Sequence, residues 1–281
     1  MKKPFNTIGV VGLGLIGSSL AKRVKTGHIA AKVLGLSRKQ ETIRYAKSHG
    51  IIDNGSTDPG ILKSCDLVIL ATPVKTIIHL SENISKIIKP GCIVTDVGST
   101  KLEIVKKLEN EFPLFIGSHP LAGSEKRGVG NYNQDIFTGS LCILTPTKKT
   151  SKQALIRIAD FWKQIGTKIS YLSPATHDRI LASVSHLPHA ISFSLINSVP
   201  KKYFKFCAGS FKDTTRIAAS DSLLWNDIFL TNRKNLLPAI TIFENKLANL
   251  KKAILANKHV SLNHILIQAQ KKRRSLNDYC Y

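Results

Sequence analysis

Residues of three chemical kinds recur here at informative spacings: glycines that admit a phosphate, histidines that can hold a proton, and an arginine that can grip a carboxylate. The glycines come first. Residues 8–19 read Ile-Gly-Val-Val-Gly-Leu-Gly-Leu-Ile-Gly-Ser-Ser, placing Gly12, Gly14 and Gly17 in G-x-G-x-x-G order. An apolar run, Ile8 to Val11, feeds them, and a helix-compatible stretch, Leu15 to Val24, leaves them. In such a strand–turn–helix the first glycine permits the sharp turn and the second lets backbone approach a pyrophosphate. The third lets the helix pack against the strand. The helix start, at Leu15 and Ile16, then turns its N–H groups and positive dipole end toward the phosphates. The pattern predicts a dinucleotide-binding fold.

The proton-handling residues follow. His119 stands between Ser118 and Pro120, just after an expected strand, with Gly123 and Gly128 nearby. There it can reach a nicotinamide over the same sheet edge, and an unperturbed pKa near 6.5 suits it to take a proton from an alcohol as hydride leaves. Ser185-His186-Leu187-Pro188-His189 adds two more histidines. At about 100° per residue they share a side of a helix that Pro188 kinks. Arg216, in Phe211-Lys212-Asp213-Thr214-Thr215-Arg216, can clamp a carboxylate bidentately, with Asp213 placed to orient it. In NAD-binding sheets an acidic residue about 20 positions beyond the glycines takes the ribose 2′-hydroxyl. Here Ser37 stands at that point, followed by Arg38 and Lys39. A serine and a cation favour a 2′-phosphate, so NADP is expected to be accepted and preferred over NAD.

These groups need a scaffold. Lys32–Leu36, Asp66–Ala71, Cys92–Asp96, Leu114–Ile116, Leu141–Thr145 and Lys168–Leu172 read as strands, with a helix near Lys152–Gln164. Strands alternating with helices predict an α/β domain with a mainly parallel sheet. Thr72-Pro73, Gly98-Ser99 and Ser118-His119-Pro120 fall at strand carboxyl ends, where such sheets hold ligands. After Leu172 the character changes. Ser173-Pro174 is an N-cap followed by a first-turn proline. Ile180, Val184, Leu187 and Ile191 read as one buried helical stripe, and Leu236–Ile254 and Leu262–Lys271 as further helices. The expected organisation is a dinucleotide-binding domain over residues 1–172 and an all-α domain over 173–281. The apolar positions of the second domain call for a partner copy, so a homodimer is expected.

With 41 Lys and Arg against 18 Asp and Glu, the chain carries a formal charge of +23. The lysines are spread along its length and no nucleic-acid-binding signature accompanies them. The excess therefore reads as a solvated surface that attracts anionic ligands. No apolar run is long enough to cross a membrane. Between Met1 and the first strand there is no room for a signal peptide, so a cytoplasmic location is expected. The five cysteines, 65, 92, 142, 207 and 280, form no CxxC pair and suggest neither a disulfide framework nor a metal site.

Taken together, four segments resemble the prephenate/arogenate dehydrogenase family of tyrosine biosynthesis, over nearly the whole chain. They are Thr95–Ser99, Gly117–Glu125, Ser185–His189 and Phe211–Arg216. The resemblance implies a nucleotide-binding domain followed by a helical dimerisation domain. It implies that His119 accepts the proton of the ring C4 hydroxyl, with Ser99 as its hydrogen-bonding partner there. Arg216 becomes the substrate-carboxylate clamp and His189 a second substrate contact, while Ser124, Glu125 and Asp213 match positions that line or gate the site. Gly12, Gly14, Leu15, Ile16, Gly17, Ser37, Arg38, Thr72 and Pro73 are the expected cofactor contacts. His189, as a cation or hydrogen-bond donor, would favour the keto acid prephenate over the amino acid arogenate. Two other readings compete. A β-hydroxyacid dehydrogenase would carry a catalytic lysine in the first helix of the second domain, and residues 175–192 contain none. A non-catalytic dinucleotide sensor or nucleic-acid-binding regulator would have no need of Ser99, His119 and Arg216 together.

Overall fold

A computed structural model describes residues 4–279; residues 1–3, Cys280 and Tyr281 lie outside the described residues. The sheet domain runs β1 Phe5–Val11, α1 Leu15–Thr26, β2 Ala30–Leu36, α2 Gln40–Ser48, β3 Asn54–Ser56, β4 Leu67–Leu70, α3 Val74–Ser85, β5 Ile93–Asp96, α4 Leu102–Leu108, β6 Phe115–Pro120, β7 Leu141–Thr145, α5 Lys152–Ile165 and β8 Lys168–Tyr171. The eight strands lie in the order β3-β2-β1-β4-β5-β6-β7-β8. All neighbours are parallel except β6 and β7. β1 has β2 on one side and β4 on the other, so strand order reverses there and opens a crevice at their carboxyl ends.

Alternation places the strands between two apolar layers. Ile8 and Val10 of β1, with Leu67 and Ile69 of β4, face α1 and α5 through Leu20, Val24, Phe161 and Trp162. Val11, Val68 and Leu70 face α3 and α4 through Val74, Ile77, Ile104 and Leu108. A strand buried on both sides needs apolar residues at both parities, which is why these segments read as unbroken runs.

β6 is longer than the sequence suggests. Gly117-Ser118-His119-Pro120 has loop composition, yet its residues pair antiparallel with β7, His119 opposite Ile143. Within β6 only Phe115 and Ile116 pair with β5, so the last four residues of β6 overhang the end of β5. His119 is therefore a strand residue near a carboxyl end, not a loop residue beyond it.

The chain continues into α6 Pro174–Leu181, a π-helical turn at Ala182–His186, α7 Leu187–Ser198, α8 Gly209–Thr215 and α9 Ser222–Thr231. Ser173 Oγ caps α6 by accepting from Thr176 N at 3.1 Å, as its sequence indicates. The expected buried stripe is not the buried face. Val184 is 65% exposed and Ile180 is also exposed, whereas His177, Asp178, Leu181, Ala182 and His186 are buried. Two causes combine. The π turn adds a residue to one turn and rotates the face, and hydrogen bonds draw the polar side inward. The chain forms two compact units, the first ending at Asn232 and the second starting at Arg233. The second holds α10 Arg233–Leu255 and α11 His259–Ser275, which contain both helices expected there. Leu237, Ile242, Leu247, Val260 and Leu266 are exposed on it.

Candidate active site

The glycine turn sits at the crevice between β1 and β4. Gly12 has φ +96°, a left-handed conformation that side chains rarely adopt. A Cβ on Gly17 would overlap the Gly12 carbonyl oxygen, whereas one on Gly14 would meet nothing within 4 Å. The backbone is thus close-packed below the turn and open above it. No side chain caps α1 and its first turn holds no acid, so the leading N–H groups at Leu15 and Ile16 are left to a ligand. Thr72 Oγ1 is buried without a partner among the described residues, and Thr72 flanks Gly12. Pro73 follows at the start of α3. An unclaimed hydroxyl beside an open glycine turn fits a dinucleotide. Ser37 follows β2 and its Oγ accepts from Lys39 N at 3.3 Å. Arg38 is exposed, and the acid of this corner, Glu41, pairs with Lys39 at 3.5 Å.

The proton site is a chain of three side chains, two of which, His177 and Asp178, are absent from the residues the sequence singles out. His119 Nδ1 lies 2.8 Å from His177 Nε2, and His177 Nδ1 lies 2.8 Å from Asp178 Oδ1. Asp178 is itself held by the start of α4, accepting from Lys101 N at 2.7 Å and Leu102 N at 2.9 Å. Asn232 Nδ2 fixes the same turn by donating to the Asp178 carbonyl at 2.7 Å. The carboxylate can only accept, so His177 carries its proton on Nδ1 and offers Nε2 as an acceptor. His119 must then donate from Nδ1, which leaves its Nε2 bare. Burial holds His119 well below the ordinary imidazole range, and the neighbouring His177, Lys101 and His186 push the same way. His177 is lowered by burial against the opposing pull of Asp178. Both rings are neutral near pH 7, with one lone pair left at the end of the chain.

Beneath this chain lies a fully buried ion pair, Lys101 Nζ with Asp96 Oδ2. Asp96 also accepts from Gly98 N at 2.8 Å and from Ser118 N at 3.2 Å. It pins the loop carrying Ser99 to β6. Ser99 is half-buried in that loop, at the end of the strand next to His119, and the partner of His119 Nδ1 is His177.

The helical segment supplies the remaining groups. Arg216, in a helical turn after α8, pairs with Glu125 at 3.3 Å. Asp213 lies exposed on α8, so the orienting acid is Glu125 from the loop after β6, not the residue three positions earlier. That loop has a second tie, Arg127 to Asp221 at 2.9 Å. Asp221 caps α9 through Leu224 N. Ser124 Oγ accepts from Lys126 N at 3.2 Å within the loop. His189 stacks on Trp225 of α9, ring centroids 3.5 Å apart and planes 20° apart. Its Nδ1 lies 3.0 Å from Ser185 O. A carbonyl accepts only, so Nδ1 carries the hydrogen and the neutral ring presents Nε2 as an acceptor, not as the donor the sequence suggests. His186 is buried, receives Asn232 Nδ2 at 3.0 Å on Nδ1, and is pushed down to about 4 by burial.

A doubly wound sheet with a glycine turn at its switch point, and a polarised histidine at a neighbouring strand end, define a nicotinamide-dependent dehydrogenase. Comparison with known proteins narrows this. Residues 20–171 match the family model of the prephenate dehydrogenase nucleotide-binding domain, and residues 173–268 that of the prephenate dehydrogenase dimerization domain. The chain belongs to the prephenate dehydrogenase family. It is similar to the cyclohexadienyl dehydrogenase of Zymomonas mobilis, 36% identical with 97% of this chain and 96% of that one covered. It is also similar to the prephenate dehydrogenase of Bacillus subtilis, 35% identical over 84% of this chain and 67% of that one. Among solved structures, the prephenate dehydrogenase from A. aeolicus in complex with hydroxyphenyl propionate and NAD+ superposes with a TM-score of 0.92. The two are 38% identical, with 96% of this chain and 98% of that chain covered. The β-hydroxyacid and sensor readings fall away.

Proposed function

We propose that this site oxidises and decarboxylates prephenate, with His119 Nε2 as the base for the ring hydroxyl and Arg216 as the carboxylate clamp. The bare Nε2 at the end of the Asp178–His177–His119 chain carries this reading. A bound oxidised nicotinamide supplies the hydride acceptor. His119 Nε2 takes the C4 hydroxyl proton while the C4–H bond breaks with its electron pair, leaving a C4 carbonyl conjugated with the ring. The C1–carboxylate bond then breaks, carbon dioxide leaves, and its electron pair restores aromaticity and returns charge to the C4 oxygen. That oxygen recovers the proton from His119, so the base ends the cycle neutral. Ser99, on the loop held by Asp96, lies at the neighbouring strand end, where its hydroxyl can steady the same oxygen. Appearance of reduced-nicotinamide absorbance with prephenate tests the reading; a folded protein giving none would refute it.

Arg216→Ala should raise KM for prephenate by about ten- to a hundredfold, the weight of a hydrogen bond to a charged group, while kcat falls less. Steady-state kinetics check this, and an unchanged KM would remove Arg216 from the substrate site. For the cofactor, NADP is the preferred form, supported by Ser37 and exposed Arg38 where NAD sites carry an acid. Ser37→Asp should shift the kcat/KM ratio toward NAD by about tenfold or more, since a carboxylate repels a 2′-phosphate. A wild-type protein favouring NAD tenfold would overturn this assignment. The exposed apolar residues on α10 and α11 and the dimerization-domain match support a homodimer.

A further inference from the structure

We propose that His189 selects between an amino-acid and a keto-acid side chain by its own protonation: neutral, it accepts from an ammonium; protonated, it donates to a keto acid. The proposal rests on the reading of Arg216 and His189 as substrate contacts. Prephenate and arogenate share the side-chain carboxylate that Arg216 would hold and differ in the group beside it, a carbonyl in one and an ammonium in the other. Whatever faces that group sets the choice.

The geometry leaves His189 one variable atom. Its Nδ1 hydrogen is committed to Ser185 O at 3.0 Å in either state, because a carbonyl cannot donate. Its ring plane is fixed by the 3.5 Å stack on Trp225. Turning the ring over would put carbon against Ser185 O and forfeit that bond. Trp225 is in turn boxed by His186, edge-on at 6.1 Å, and by Phe229 at 5.5 Å. Only Nε2 changes with pH, from acceptor to donor.

The charged and titratable groups facing His189 are few. Arg216 comes from the turn after α8, with Glu125 of the loop after β6 upon it. His186 comes from its own helical run and is neutral near pH 7. Trp225, from α9, carries no charge. Burial lowers His189, the Ser185 carbonyl opposes this, and the Arg216 cation adds to the lowering. The neutral acceptor is therefore the form present near pH 7, and it suits an ammonium. Protonation on acidification creates an N–H donor that suits a carbonyl and repels an ammonium.

The test is the ratio of kcat/KM for arogenate to kcat/KM for prephenate, from initial rates between about pH 5 and about pH 8. His119 serves both substrates, so its own titration cancels in the ratio. The ratio should rise about tenfold or more with pH, then level off. In His189→Asn, whose amide offers oxygen or nitrogen as needed, the ratio should be flat. A flat or falling wild-type ratio, prephenate turnover without arogenate turnover at every pH, or an Asn variant keeping the wild-type slope would each overturn the proposal. The wild-type profile decides even if the variant does not fold. Failure of both substrates would instead refute the dehydrogenase reading.

Discussion

His119→Ala should fold, bind the dinucleotide nearly as well as the wild type, and lose about 10²- to 10⁴-fold in kcat, the usual worth of a general base. The proposed cofactor cradle, the glycine turn between β1 and β4, lies two and three places from β6 in the sheet order, so cofactor affinity has no reason to follow. The lost hydrogen bond leaves His177 Nε2 without its donor, at a cost of about 1–3 kcal/mol, which a chain of this size tolerates. The wild-type pH profile provides a second check. Only the neutral ring is a base, and burial lowers its pKa well below the ordinary value. Activity should therefore hold through pH 6.5 and fall only as pH drops through that lowered value. A folded His119→Ala with near-normal turnover would remove the histidine from the chemistry.

Asp178→Asn should be nearly as damaging, although His177 and His119 stand between Asp178 and the proposed substrate position. The carboxylate accepts from His177 Nδ1 and from two backbone N–H groups. An amide has one oxygen for these three donors. If its NH2 takes the Oδ1 place, it faces both His177 Nδ1 and Lys101 N; Lys101 N loses its acceptor, and the ring takes the opposite tautomer and donates from Nε2. His119 then accepts on Nδ1 and carries its hydrogen on Nε2, where a base needs a lone pair. If its NH2 faces Leu102 N, two donors oppose each other and the turn must shift. A kcat loss of about 10² or more is expected, with dinucleotide binding preserved. Unchanged kcat in the amide variant would show that the tautomer is not set from Asp178.

The sheet was legible because β1, β4 and β5 announce themselves as apolar runs and because G-x-G-x-x-G has a geometric meaning. β3 was not: Asn54-Gly55-Ser56 has no strand-forming residue and exists through pairing with β2. His119 and Arg216 were legible as residue types in specific contexts. Their partners were not. His177 and Asp178 are adjacent in a helix, a spacing that signals nothing, and they meet His119 and Lys101 across 58 and 77 positions. One cue was available: a polar pair one turn after the Ser173-Pro174 cap, in line with buried Leu181. The apolar stripe through Ile180 and Val184 outweighed it, and the π turn at Ala182–His186 made that stripe misleading. Glu125 lost to Asp213 as the acid for Arg216 because nearness in sequence was the only distance available.

The tie from Asp178 to the first turn of α4 bears on how such a protein can be recombined. With His119 as the proposed base, a chimera joined after residue 172 would draw that base from one parent and its tautomer-setting carboxylate from the other. Parents that differ slightly in the pitch of α6 would give hybrids that fold, bind cofactor and turn over slowly, for want of a lone pair at the right nitrogen. The heritable module is therefore β6, the start of α4 and α6 together, and crossovers that keep those three from one parent should be the ones that stay active.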